Sequence, residues 1–586
     1  MPRASRVLTE FFAGALGHQC GKQLLRAAST IQSTHIGTME LCRRCRSVLA
    51  EGAKTQPSLR EYDCNVVEGA SSCGPCRQLQ ELEVQIIQVE TLLEHLKRRL
   101  PSIKTERNRI HDHLMRSLPP EIMSRIFSFY VFSSGDSVDL ESTESPLFLG
   151  AVCRAWRKVA WDTPSLWSSL KLLIDKSPSQ TIDKSLGTRV KVLQEGFACS
   201  GGLPLSLSIY SPSKMLFHGP GGDGAAWKTL IGILDRYSKR WRVLDFQLPV
   251  WYYSTIARGL ACGFPNLRHL TLIPDQVDRF HPYTLFGSAS PTDIPAPTVV
   301  ELARLQLNEI NISWANVVHL ELSHMDNKQC LDFLRRATQV TYFKLRNTYA
   351  SSMNSPENTT HFTHPRLRVL DCMGPKDFPA LVRPLLLPSL EEIQYYNASH
   401  LDFPYADIKE LVLHSFCQLK RLCLHGDLFR REEALMDLLF NLPSVEVLTL
   451  DCPLPWNANP AGLFSLLSHC GSMSNFLPNL IKFVYKGSTV NFPWGYLVQL
   501  AVSRSFEASP KQPARPLSLV HIQSVLNGNS PRTYIPKVAV LAILAAQGMR
   551  FKLDRMNANA DLTGIPPEDW LDESMKHHGI YIPDER

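Results

Sequence analysis

The strongest constraint on this chain is a recurring pattern, LxxLxL, in which L stands for any large apolar residue. It runs through Leu267-Leu270-Leu272, Val317-Leu320-Leu322, Val340-Phe343-Leu345, Leu367-Leu370-Cys372, Leu390-Ile393-Tyr395, Leu419-Leu422-Leu424, Val445-Leu448-Leu450 and Leu480-Phe483-Tyr485. Several triads are introduced by a proline two residues ahead, as in "FPNLRHLTL", "HPRLRVLDC" and "LPSVEVLTL". From the second triad onward the spacing is roughly 23 to 35 residues, a repeat period and not a domain length. Each triad predicts one short strand that buries alternate side chains. No unit that short hides its own apolar edge, so the units must stack. Two further triads, Leu302-Leu305-Leu307 and Ile408-Leu411-Leu413, fall too close to a neighbour to be full repeats. The β-type runs "LPLSLSIY" at 203–210 and "RWRVLDFQL" at 240–248 precede the series.

This pattern resembles an irregular leucine-rich-repeat solenoid over about residues 200–555, followed by a polar, turn-rich cap and tail at 556–586. The Asn usual after such strands is mostly missing, so regular curvature is not expected. Residues between the buried positions would point outward from the strands and offer a recognition face. The substrate-binding candidates are Tyr342, Lys344, Arg346, Gln394, Tyr396, Arg421 and His425, with His269, His319, Glu321 and Glu392 beside them. Their chemistry is mixed, so no acidic or basic ligand is singled out.

The N-terminal part has another texture. Residues 79–114 carry a heptad seam, Leu79, Leu82, Ile86, Val89, Leu93, Leu96, Leu100, Ile103, Arg107, Ile110 and Leu114, in alternating steps of three and four. Pro101 predicts a break or kink in that helix, and so short a seam is expected to pack within the chain in preference to pairing with another. The net charge is +7, but the first sixty residues hold nine Lys and Arg against three Glu, leaving the remainder near balance. The body is therefore no electrostatic platform for nucleic acid. No apolar run approaches the roughly 20 residues of a spanning helix, which argues against a membrane. Fifteen scattered cysteines without a secretory signal predict a reducing compartment, cytoplasm or nucleus. Residues 1–40 read as a disordered or targeting-like leader. In 41–78 the pairs Cys42/Cys45 and Cys73/Cys76 have the spacing of a structural zinc site; free reduced thiols are the other reading. "SCGPCR" lacks the strand and tryptophan of a redox dithiol, and "HGPGGDG" lacks the Lys-Ser/Thr of a phosphate loop.

Between these parts, "LPPEIMSRIFSFYV" at 118–131 opens with two prolines, which suit the first turn of a helix. An acidic, Ser-rich loop separates it from "VCRAWRKVAWDTPSLWSSL", which carries three tryptophans. A unit of about fifty residues buries only roughly 60% of the surface its unfolded chain exposes. This one carries more apolar side chains than short helices can hide among themselves.

"LPPEIMSRIF" followed by "VCRAWRKVAWDTPSLW" resembles the F-box, and the "TPSLWSS" ending is similar to the large F-box families of mushroom-forming fungi. The resemblance covers residues 115–170. It implies a mixed α/β chain: a short N-terminal helix and a three-helix F-box, then the irregular leucine-rich-repeat solenoid. It also implies docking on a Skp-type adaptor held by a cullin scaffold, through Leu118, Pro119, Pro120, Ile122, Ile126, Val152, Cys153 and Trp156. These residues would either meet the adaptor or hold the three helices together. On this reading the chain is a non-catalytic substrate receptor of a ubiquitin ligase, with an unidentified protein substrate and no required cofactor beyond possible zinc. A zinc-knuckle and repeat scaffold that binds nucleic acid or protein without a ligase role is the alternative.

Overall fold

The computed structural model describes residues 74–581 apart from 112–117, 134, 136, 141, 175–181, 212–223, 276–282, 288–292, 351–360, 376, 398–401, 453–459, 469–475, 488–491, 504–514, 527–533, 547–548 and 558–566. The chain divides into two units, residues 1–169 with 198–201, and 170–197 with 202–586. Among the described residues no helix is long and apolar enough to cross a membrane.

In the first unit, helix α1 spans Gly74–His111 and carries Pro101 in its interior. The expected break there is absent. Leu100 to Ile103 stay helical: the ring removes only the backbone bond that would run to the Lys97 carbonyl, while the flanking turns remain intact. Helices α2 (Pro120–Val131), α3 (Pro146–Val152) and α4 (Arg154–Trp161) follow, and then a 3₁₀ turn, Pro164–Trp167. Each start has a local cause. Pro120 and Pro146 occupy first-turn positions. The Ser145 hydroxyl accepts from the Phe148 amide, and the Cys153 thiol accepts from the Trp156 amide.

In the second unit, the strands of one parallel sheet follow each other in chain order from Leu205–Tyr210 to Arg550–Asn557. Most connections carry a helix, as expected where parallel neighbours need a crossover. The register brings the apolar positions into columns. Leu270, Val300, Leu320, Phe343, Leu370 and Ile393 stand side by side, all at most 1% exposed. One column over, Leu272, Leu302, Leu322, Leu345, Cys372 and Tyr395 do the same. Every triad of the main series supplies such a pair. The short strands Phe362–Thr363 and Leu385–Leu386 pair only with each other.

The two extra triads resolve differently. At 302–307 the chain has a full rung, Val299–Ala303, but five residues earlier than the triad suggests: Val300 and Leu302, not Leu305 and Leu307, are its buried pair. At 408–413 there is no rung. Ile408 and Leu411 belong to the buried face of the helix Tyr405–Ser415, since a spacing of three suits a helix as well as the triad.

A repeated turn closes the rungs. Arg304, His324, Asn347 and Gly374, each just past a strand, have φ between 50° and 63°. Each donates its amide to the next rung, as His324 does to the Arg346 carbonyl and Gly374 to the Tyr396 carbonyl. The ladder ends are aromatic. Near the first rungs Phe197 and Trp241 meet edge to face at 5.2 Å. At the other end the antiparallel strand Glu568–Asp569 pairs with Asp554 and Arg555, and Trp570 is buried against Trp494 at 5.3 Å.

Candidate docking surfaces

Helix α2 sorts its apolar residues onto two faces. Met123, Phe127 and Val131, at steps of four, are buried. Ile122, Ile126 and Phe129, at steps of four and three, form the other stripe: Ile122 is 42% and Phe129 69% exposed, and Ile126 is half-buried. Pro119 and Pro120, at the start of this helix, are exposed. On α3, Phe148 and Val152 are 39% and 38% exposed, one turn apart.

The interior of this unit is aromatic. Trp156 is buried and lies 5.0 Å from the Phe127 ring, centroid to centroid. Trp161 and Trp167 meet edge to face at 4.9 Å, and the Trp167 indole donates to the Ala160 carbonyl at 2.8 Å. A Cβ on Gly150 would stand 2.3 Å from the Trp161 ring, so the glycine is what lets α3 and α4 approach. The Arg157 Nε donates to the Gly150 carbonyl, satisfying a group near the end of α3.

Of the eight residues that sequence ties to adaptor docking, Pro119, Pro120, Ile122 and Val152 are exposed, and Leu118, Ile126 and Cys153 are half-buried. Trp156 is placed in the core, because its ring closes on Phe127, and not on the surface. Phe129 and Phe148 escaped the sequence reading. The helical steps from Ile122 to Phe129 and from Phe148 to Val152 were the signal available. The acidic loop is held down by buried Val138 and Leu140, and the Tyr130 hydroxyl donates to the Thr143 carbonyl at 3.1 Å.

On the sheet, register gathers the predicted recognition residues onto neighbouring strands. Tyr342 aligns through Val369 with Glu392 and Arg421. Lys344 aligns through Asp371 with Gln394, and Arg346 through Met373 with Tyr396 and His425. They are bound into a polar network. The Tyr342 hydroxyl donates to Asp371 at 2.9 Å and its ring stacks on His319 at 4.3 Å. Glu321 contacts Arg346 at 2.6 Å and Lys344 at 3.7 Å. Arg421 donates to Glu392 at 2.6 Å, and His425 lies 3.3 Å from Asp451.

Asp371 is the residue in this network that sequence passed over, since it sits inside the triad Leu367-Leu370-Cys372. Burial pushes its carboxyl up, while Tyr342 and Lys344 hold it down. Burial, reinforced by Asp371, drives the Tyr342 phenol well above its ordinary range, and Tyr396 is pushed up to about 12, chiefly by burial. His269 and His319 are lowered by burial.

A cavity of about 340 Å³ lies past the strand ends, bordered by Phe378, Tyr395, Phe403 and Tyr405 and by the Asp402–Arg431 ion pair at 2.6 Å. Tyr395 belongs to a core column, so this cavity is not on the polar face. Cys42, Cys45 and Cys73 and the Cys76 side chain lie outside the described residues. Among the described residues no group of three or more His, Cys, Asp or Glu is arranged to hold a metal.

The F-box-like family matches residues 115–172, the span that holds α2 to α4 and the 3₁₀ turn. No curated protein matches the chain.

Proposed function

We propose that this chain is the substrate-recognition subunit of a ubiquitin ligase built from a Skp-type adaptor, a cullin scaffold and an F-box protein. F-box domains generally bind Skp-type adaptors, and the F-box-like span is the part of this chain that matches a known family. One observation carries the reading. Within that span the core is closed by Met123, Phe127, Trp156 and Trp167, yet Ile122 and Phe129 remain on an open apolar stripe. An interface dominated by a few large, desolvated side chains is what such a stripe supplies.

The ladder would be the receptor's other end, a leucine-rich-repeat-type solenoid whose polar face selects a protein substrate. The network from Glu321 to Arg421 suits that role. Mixed charges that are already paired favour specificity by geometry over attraction to one sign of charge. The chain's contribution is selection and proximity: a substrate held near a charged ubiquitin carrier reacts as if at the millimolar concentration of a short tether. The chain needs no catalytic group for that.

The test is capture of a purified Skp-type adaptor by the full chain. Ile122→Asp/Phe129→Asp, which alters exposed positions only, should weaken capture by roughly 30-fold or more, the loss of one hot-spot residue, with an unchanged thermal melt. Equal capture by both chains overturns the assignment.

A further inference from the structure

We infer that α1 pairs antiparallel with α1 of a second copy of this chain. From Leu79 to Ile103 the seam steps strictly by three and four, the narrow two-in-seven stripe of a coiled coil and not the wider face of a globular helix. The structure leaves that stripe open. Its eight side chains are 43–64% exposed, against the expectation that the seam packs within the chain. Such cover as α1 receives falls on Gln80, Glu83, Val84, Ile87, Thr91, Leu92 and His95, and on none of the eight seam residues.

Charge selects the occupant. With Leu79 at heptad position a, the e positions are Glu83 and Glu90 in the first half and Lys97 and Lys104 in the second. Charges flanking the seam set partner and orientation. In an antiparallel pair e faces e, so Glu90 meets Lys97 of the second copy and Glu83 meets Lys104, each contact occurring twice by symmetry. The same register sets Ile86 against Ile103, Val89 against Leu100 and Leu93 against Leu96. Arg107 falls opposite Leu82 near the end of the paired stretch, where its head reaches water. A parallel pair would set e against g: Glu83 and Glu90 would face Gln78 and Gln85, Lys97 would face Leu92, and Lys104 would meet Arg99. That arrangement offers no attraction and one repulsion. Pro101 takes the outer b position and stays out of the interface. The Lys97–Glu94 pair within the helix is solvent-exposed at 2.8 Å and does not compete strongly.

The experiment is sedimentation equilibrium of the full chain, purified without adaptor, at micromolar concentration. The expected mass is about 132 kDa, twice the 66.1 kDa chain, falling to one chain for Ile86→Asp/Leu93→Asp with an unchanged far-ultraviolet spectrum. Glu90→Lys should loosen the dimer by roughly tenfold, and Glu90→Lys/Lys97→Glu should restore it. A single-chain mass for the unaltered protein overturns the pairing, whether the seam is then covered by residues 1–73 or by a foreign helix. So does a dimer that survives the seam substitutions. A seam-dependent dimer indifferent to the charge exchange overturns the antiparallel arrangement. No readout requires the adaptor, so the outcome is independent of the docking assignment.

Discussion

Two residues show how closely this chain is tuned. Gly150 leaves room for the Trp161 ring, which packs on Trp167, so Gly150→Ala forces that aromatic pair apart. We expect a loss of about 1–3 kcal/mol, read from the urea midpoint of circular dichroism. On the ladder, Glu301 is held above the usual glutamate range, first by burial and then by Glu321 nearby. A carboxyl raised by folding costs stability once it ionises, and that cost is absent below its unfolded value. Glu301→Gln should therefore raise the urea midpoint at pH 7, with the gain vanishing below about pH 4. A gain that persists in acid would place its origin in packing and not in charge. Neither effect is written in the local sequence, since both depend on residues brought near by folding.

At the scale of elements, the left-handed turn that follows four successive rungs makes the sharpest prediction. A non-glycine residue in the left-handed region carries about 1–2 kcal/mol of strain. Gly374→Ala should cost about that much, the more so because its Cβ would stand 3.3 Å from Asn347 Oδ1. His324→Gly should instead gain up to about 1 kcal/mol; thermal melts of both variants check the opposite signs. These turns were invisible in the sequence, where Arg, His, Asn and Gly share no pattern. The strands were legible, because a column of large side chains leaves a period-two trace at each triad. Helix Tyr405–Ser415 mimicked a triad, since steps of three serve both structures. The last rungs, Leu519–Leu526 and Arg550–Asn557, lie inside the span assigned to the solenoid but outside the named triads: Leu517-Val520-Ile522 fits the pattern and was passed over, whereas Gly548 breaks it ahead of Phe551 and Leu553. For the docking surface, sequence supplied the segment and most of its exposed residues. It could not separate Trp156 from Ile122, because which face of an amphipathic helix is covered depends on partners elsewhere in the chain.

For the molecule as a whole, a ladder in chain order means that each rung is held by its neighbours alone. Removing residues 567–581 uncovers the edge at Arg550–Asn557 and takes away Glu573, the 2.8 Å partner of buried Arg555. Hydrogen exchange should then quicken along 550–557 and 519–526, while Val299–Ala303 through Glu392–Tyr396 keep their protection. Uniform acceleration would mean that the ladder melts as one cooperative body. The placement of the indoles bears on how such events can be watched. Trp167 is buried in the first unit, Trp227 and Trp241 near the first rungs and Trp570 at the last, while no tryptophan occurs between Trp314 and Trp456. Intrinsic fluorescence thus reports on the extremities and, through Trp314 packed on Phe333 at 5.3 Å, on the rung of Glu321, and is nearly blind to the rungs from Val369–Met373 to Val447–Asp451. A chain whose middle had frayed would still emit like an intact one.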